Sequence, residues 1–272
     1  MKALSGKVAA VTGAASGLGK AMALAFAAEG MHVALADVAF EELKSVEDEI
    51  EGKSLAMRVD VSKAAEVEAF AQRTVAELGG VHLVCNNAGV ALTGAVWENT
   101  ALDWEWILGV NLRGVVNGVR AFAPRLLAQD DGHIVNTASV AGLISPPGMG
   151  AYCVSKHAVV TLSEALHHDL RERGSRVGVS VLCPAYVPTG IADSERNRPQ
   201  SLGRSTKTEK DAMLKKAVAS GKQSAEDVAR AVVAAVKAER FYILTHPAIK
   251  GAIRARMEDI LEERLPRDPL QL

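Results

Sequence analysis

Tyr152 and Lys156 stand four residues apart in the stretch AYCVSKHAVVTLSEALHHDL, residues 151–170. The stretch has helical apolar spacing, and residues i and i+4 share one face of a helix. An ammonium beside a phenol favours the phenolate, which predicts a Tyr152 pKa drawn down from about 10 toward the working range. A phenol tuned in that way can take a proton from an alcohol or give one to a carbonyl. Ser139 ends the strand-like run HIVNTAS (133–139). A hydroxyl in that place can hydrogen-bond an oxygen on which charge develops.

A second constellation lies near the start of the chain. VTGAASGLGKAM (11–22) follows an apolar run and opens a helical one, with Gly13, Gly17 and Gly19 spaced G-x-x-x-G-x-G. Glycine lets the backbone turn sharply and lets a pyrophosphate approach main-chain N–H groups, while the helix N-terminus adds partial positive charge. The plainer alternative is a strand-to-helix turn whose small residues serve packing. Asp37 closes the next apolar run in ALADV (34–38). A carboxylate there can accept from both ribose hydroxyls of an adenosine and would repel a 2′-phosphate. Neither its neighbours Ala36 and Val38 nor Ser16 in the glycine turn is basic, so NAD is favoured over NADP. Asp37 can equally cap the helix that follows. Asp60, in RVDVS (58–62), either reaches an adenine or caps the helix from 63.

These residues need a scaffold that brings strand ends together. Short apolar runs at 7–12, 31–36, 54–59, 81–86, 133–139, 177–183 and 241–245 read as strands. Helical patterns fall at 17–29, 40–51, 63–78, 101–128, 151–173 and 224–239. Strands with little polar alternation, separated by helices, imply a parallel sheet covered on both faces. Right-handed crossovers make it a doubly wound α/β fold, and 272 residues fit one domain. The segment 186–222 breaks the rhythm: it is long and basic, with Arg196, Arg198, Arg204, Lys207, Lys210, Lys215, Lys216 and Lys222. It reads as a lid or a disordered loop within the domain.

Bulk properties exclude several classes. A net charge of −1 supplies no field toward nucleic acid or a membrane surface. No apolar run approaches the roughly 18–20 residues of a membrane span, and the N-terminus lacks a signal-peptide core. Cys85, Cys153 and Cys183, with no CxxC, read as buried hydrophobes in a reducing compartment. A cytoplasmic protein is expected, without a metal site. His167 and His168 are adjacent and cannot share a helix face, and HExxH is absent. TASVA around Ser139 lacks the G-x-S-x-G elbow of a serine hydrolase.

The chain resembles the short-chain dehydrogenase/reductase family over nearly its whole length. The matching pieces are TGAASGLG (12–19), NNAG (86–89), Asn111 in GVNLRGV, Ser139 in NTASVAG, YCVSK (152–156) and PAYVPTG (184–190). The resemblance implies a Rossmann-type seven-stranded sheet and hydride transfer between NAD(H) and a small-molecule alcohol or ketone. It gives Tyr152 the acid/base role, Ser139 the substrate oxygen, Lys156 the nicotinamide ribose, and Asn111 a water linking Lys156 to solvent. Gly13, Ser16, Gly17, Leu18 and Gly19 would hold the phosphates, and Asp37, Asp60 and Val61 the adenosine. Asn87 and Gly89 would support the cofactor from the fourth strand, and Pro184, Val187 and Thr189 would meet its nicotinamide end. Ala185 departs from the pattern, where glycine is usual. Its methyl can shift the nicotinamide or narrow the pocket.

Val140, Met149 and Tyr186, with Leu143 and Pro147, would make an apolar substrate pocket, which suggests a hydrophobic secondary alcohol, aromatic or alicyclic. DWEWILGVNLRGVVNGV and FYILTHP are similar to segments of bacterial members that oxidise benzylic alcohols of lignin-derived aryl ethers. The basic lid leaves open an anionic substrate, against the alternative that its cations merely stay solvated. The family also implies a homo-oligomer, tetramer or dimer, paired through the helices at 101–128 and 151–173. Two other readings stay open: a non-catalytic dinucleotide sensor on this fold, and an NADPH-dependent carbonyl reductase.

Overall fold

The first strand, β1 (Val8–Thr12), is buried at every residue, as a strand between two helical layers must be. The computed structural model describes residues 1, 3–205 and 208–271. Lys207, counted above among the lid cations, lies outside the described residues. After β1 come α1 (Gly17–Ala28), β2 (His32–Asp37), α2 (Phe40–Glu47), β3 (Ser54–Arg58), α3 (Ala64–Leu78) and β4 (Leu83–Asn86). A long helical run, α4 (Ala101–Leu108), a π-turn (Gly109–Arg113) and α5 (Gly114–Gln129), leads to β5 (His133–Thr137). Then follow α6 (Gly150–Glu172), β6 (Gly178–Leu182), α7 (Glu209–Ala219), α8 (Ala225–Lys237), β7 (Tyr242–Ile243) and α9 (Ile249–Leu261).

Among the described residues, seven strands form one sheet in the order β3-β2-β1-β4-β5-β6-β7. Every pairing is parallel. The two-residue side-chain period sorts the strands between two cores. Val11, Leu35, Cys85 and Val135 face α1, α2 and α8, whereas Ala10, Ala34, Val84 and Ile134 face α3 and α5. The chain winds outward from β1 to β3 and returns to place β4 on the other side of β1. At that reversal the carboxyl ends of β1 and β4 open a crevice, the usual ligand site of such sheets. All three cysteines are free and buried. Among the described residues no helix is long and apolar enough to cross a membrane.

Several boundaries differ from the sequence expectation. The helix expected over 101–128 contains the π-turn, which carries Asn111 inward to 0% exposure. The strand expected over 241–245 pairs only at Tyr242–Ile243. The helix expected to 51 stops at Glu47. The insertion contains a helix, α7, which buries only Val218 and so leaves little apolar periodicity to read. Its legible signal is the Thr208–Asp211 capping box. Helix α9 went unread for a similar reason, burying only Ala252, Ala255 and Asp259.

One buried histidine makes the fold acid-sensitive. His133 Nε2 lies 2.7 Å from Ser180 Oγ, while Nδ1 has no partner among the described residues. Burial lowers its pKa to about 4, against about 6.5 in an unfolded chain. The neutral ring therefore supports the fold fully above pH 6.5. Below that, the unfolded chain takes up a proton that the folded one refuses, and stability falls until about pH 4. This group alone should remove on the order of 3 kcal/mol across the window. His133→Gln should flatten the dependence of unfolding free energy on pH between 6.5 and 4; an unchanged slope would refute the assignment.

Candidate active site

The crevice is shaped first by glycines. Gly13 has φ +67°, and a Cβ there would lie 2.7 Å from Ala88 Cα. Gly19 is tighter still: its Cβ would lie 1.9 Å from the Gly13 carbonyl oxygen. Thr12 ties the neighbouring loop to this turn, its Oγ1 accepting from Asn87 N at 2.9 Å and Ala88 N at 3.1 Å. Asn87 Nδ2 returns a bond to Thr12 O at 3.0 Å. Helix α1 then opens with no side-chain cap and no acidic residue in its first turn, so its N-terminal N–H groups and partial positive charge are unspent. Gly19→Ala should push the Gly13 peptide out of place and destabilise the protein by roughly 1–3 kcal/mol. Calorimetry showing an unaltered unfolding midpoint would contradict that packing.

Asp37 ends β2 at the far side of the same crevice. Its Oδ2 accepts from Ala15 N and its Oδ1 from Ala39 N, each at 3.0 Å. Each oxygen keeps a lone pair for a further donor. Asp60 Oδ1 accepts from the amide and hydroxyl of Ser62, closing the turn before α3. Arg58, which local sequence did not bring beside Asp37, is its register partner on β3 and lines the same end of the cavity. This backbone cradle, uncapped helix and ribose-sized carboxylate fit a dinucleotide.

The chemical centre lies above β4 and β5. Ser139 caps the short turn after β5, Oγ accepting from Ala141 N at 3.1 Å and donating to Pro184 O at 3.4 Å. Helix α6 is pressed onto that turn, since a Cβ at Gly142 would lie 2.6 Å from Lys156 O. This contact brings Tyr152 and Lys156 beside Ser139. Lys156 is buried, donates to Thr137 O at 2.9 Å, and has Nζ 5.8 Å from the Tyr152 ring centre.

One expectation for this centre is corrected. The Tyr152 phenol is not drawn down. Burial raises it to about 12, with a Ser139 hydrogen bond opposing the rise. Burial likewise lowers Lys156 to about 8. Desolvation penalises both charged forms, and the ammonium spends its hydrogen bond on Thr137 O rather than on the phenol. Asn111, for its part, has a largely committed side chain. Oδ1 accepts from Val90 N at 2.8 Å, and Nδ2 donates to Val90 O at 2.9 Å and to Ser155 Oγ at 3.0 Å. It staples the loop after β4 to α6, and at most one Oδ1 lone pair remains for a water.

A cavity of about 900 Å³ runs through these groups. It is lined by Gly13, Ser16, Gly17, Leu18, Asp37, Asp60, Val61, Asn87, Gly89, Pro184, Val187 and Thr189, and by Ser139, Val140, Met149, Tyr152, Lys156 and Tyr186. Gly19 and Asn111 stand behind the wall instead, as packing and stapling residues. Ile144 and Pro146 line the floor where Leu143 and Pro147 were expected. The sequence reading also missed Trp106, Leu202, Leu214, Ile249, Pro269 and Leu270. Nothing in a local motif could have supplied them, because they arrive from α4, the 186–222 segment and the C-terminal stretch.

The 186–222 segment is fastened to the body rather than loose. Arg198 pairs with Asp103 at 2.6 Å with both side chains at most 2% exposed, and its guanidinium lies 5.0 Å from the Trp106 ring centre. Thr93 Oγ1 donates to Asp211 Oδ1 at 2.6 Å, and Ala91 N donates to Ser194 Oγ at 3.1 Å. Arg196 donates to the carbonyls of Gly190 and Asp193. Arg198 thus fastens the segment through its two terminal nitrogens, while its buried Nε has no hydrogen-bond partner among the described residues.

Comparison with known proteins agrees with this geometry. A family profile described as "short chain dehydrogenase" matches residues 7–200. A crystal structure of a short-chain dehydrogenase/reductase from Burkholderia phymatum in complex with NAD superposes with a TM-score of 0.97 at 51% identity, covering 100% of both chains. A CLA biosynthesis dehydrogenase/reductase of Lactiplantibacillus plantarum is 34% identical over 98% of this chain and 97% of its own. A C alpha-dehydrogenase of Sphingobium sp. (strain NBRC 103272 / SYK-6) is 31% identical over 98% of this chain and 90% of its own. With a nicotinamide dinucleotide as its cofactor class, the chain belongs to the short-chain dehydrogenase/reductase family of oxidoreductases.

Proposed function

We propose that the protein interconverts an apolar secondary alcohol and its ketone with NAD(H). The observation that carries this is the meeting of Ser139, Tyr152 and Lys156 with the glycine cradle and Asp37 in one cavity. When bound, the nicotinamide supplies the hydride donor or acceptor. Tyr152 Oη moves the proton at the substrate oxygen. Ser139 Oγ holds that oxygen as charge builds on it. Lys156 would bind the nicotinamide ribose, and Asn111 fixes the loop that frames the site. Leu18, Asp60 and Val61 flank the adenosine and phosphates, and Val187 and Thr189 the nicotinamide.

The substrate half of the cavity supports an aromatic or alicyclic alcohol. Val140, Ile144, Met149, Leu202, Leu214 and Leu270 line it, with Tyr186 at its rim. We read the chain as one domain in which 186–222 is the substrate lid. We also read it as a homo-oligomer: Val154, on the outer face of α6, is 51% exposed.

Purified protein should reduce NAD+ with a panel of aryl-alkyl and alicyclic secondary alcohols, seen as absorbance of reduced nicotinamide. Cofactor binding without turnover on any of them would instead support a dinucleotide sensor. Turnover with NADPH and ketones alone would support the carbonyl reductase, a reading to which Arg58 lends weight.

A further inference from the structure

The loop after β6 is pinned at one end by the catalytic turn, Val140 N donating to Pro184 O at 2.9 Å. The next amide reaches the other way. Ala185 N donates to His246 Nδ1 at 3.2 Å. A backbone N–H can only donate, so Nδ1 is the unprotonated nitrogen and the ring proton sits on Nε2. The Thr245 hydroxyl, 2.8 Å from the same Nδ1, then donates as well. Nε2 is buried and has no hydrogen-bond partner among the described residues. Burial holds the ring's pKa below the ordinary imidazole value, which keeps it in this accepting form.

An unpaired buried N–H is unfavourable, and an apolar side chain would avoid it. In return the ring holds the Ala185 amide and the Thr245 hydroxyl on Nδ1 and lies against the Tyr186 backbone. The same loop is packed against Gly221, where a Cβ would lie 2.4 Å from Tyr186 O. The loop is therefore held at both His246 and Gly221, with Pro184, Ala185, Tyr186 and Val187 presented to the cavity.

We infer that His246 is a positioning residue: its neutral Nδ1 fixes the Ala185 amide, and with it the wall that receives the nicotinamide half of the dinucleotide. This rests on the cofactor reading above. His246 is not among the cavity-lining residues, so it acts only through the loop. Its influence should fall on the nicotinamide half and spare the adenosine half, which Asp37 holds at the other end of the crevice.

The test compares NADH with ADP-ribose, which keeps the adenosine and both phosphates but lacks the nicotinamide. His246→Leu should weaken NADH about tenfold, as expected for one lost hydrogen bond, and leave ADP-ribose binding unchanged. His246→Asn, whose amide oxygen can accept from Ala185 N, should recover most of the loss. Unchanged NADH affinity in the Leu variant, or equal weakening of both ligands, would overturn the inference. If the Leu variant does not fold, His246→Ala decides: a tenfold loss for NADH with ADP-ribose unchanged supports the role, and unchanged NADH affinity refutes it. Wild-type protein that binds neither ligand would overturn the cofactor reading itself, whereas tight ADP-ribose binding with no gain for NADH overturns the His246 role alone.

Discussion

Tyr152→Phe should lower kcat by roughly 10²–10⁴, the range of a lost general acid/base, while NADH affinity stays within about twofold of wild type, since only a hydroxyl is removed. The substitution keeps the ring and its packing and removes only the group that carries the proton. Ser139 remains to hold the substrate oxygen, but its own hydroxyl is engaged with Ala141 N and Pro184 O and has no base beside it. Burial opposes the phenolate and pushes the phenol up to about 12, so turnover in the oxidative direction requires a nearby positive charge that stabilises it. An oxidised nicotinamide brings a fixed positive charge, and nearby positive charge lowers a phenol's pKa. The oxidation rate of the wild type should therefore rise with pH as the phenol ionises, and the residual rate of the Phe variant should not. A Phe variant with kcat within threefold of wild type would remove Tyr152 from the mechanism. A residual rate that still rises with pH on the same curve would assign the titration to another group.

What the sequence disclosed, and what it hid, follows from distance along the chain. Tyr152 and Lys156 are joined by one helical turn, and Gly13 and Gly17 by one loop, so residue type and offset suffice to place them. The direction of the Tyr152 shift is not legible in this way, because local spacing says nothing of desolvation. That term depends on Val90, Pro184 and the other walls of a cavity assembled from distant segments. Asn111 stands out by its motif, but its burial depends on a π-turn that a periodicity of 3.6 residues cannot signal. The Arg198–Asp103 pair lies even further out of reach, its partners 95 positions apart in the chain. Read locally, Arg198 was one more lid cation. In the fold it is buried against Trp106 and joins the 186–222 segment to α4. The Asp37 argument met the same limit. Its sequence neighbours carry no positive charge, yet its neighbour across the strand pair is Arg58.

That juxtaposition makes cofactor choice a contest between two residues, and Asp37→Asn should reveal it. The amide preserves shape and can still accept from one of the two loop amides that Asp37 now holds, Ala15 N or Ala39 N. It removes the charge that repels a 2′-phosphate and weakens the bonds to the ribose hydroxyls, each charge-assisted bond being worth roughly 1.5–3 kcal/mol. NADH should lose about tenfold to a hundredfold in affinity, NADPH should gain, and the NADH/NADPH ratio should fall by on the order of 10²–10³. Arg58→Ala in the Asp37→Asn background should then abolish the NADPH gain without restoring NADH, because Arg58 is the register partner of Asp37 and lines the same cavity. Fluorescence titration of reduced nicotinamide measures all of these affinities on one scale. Should wild type bind the two cofactors equally, Arg58 already offsets Asp37, and the physiological cofactor is set by cellular supply rather than by this site. Should Asp37→Asn leave the ratio unmoved, the carboxylate serves only the amides of Ala15 and Ala39, and discrimination lies elsewhere in the crevice.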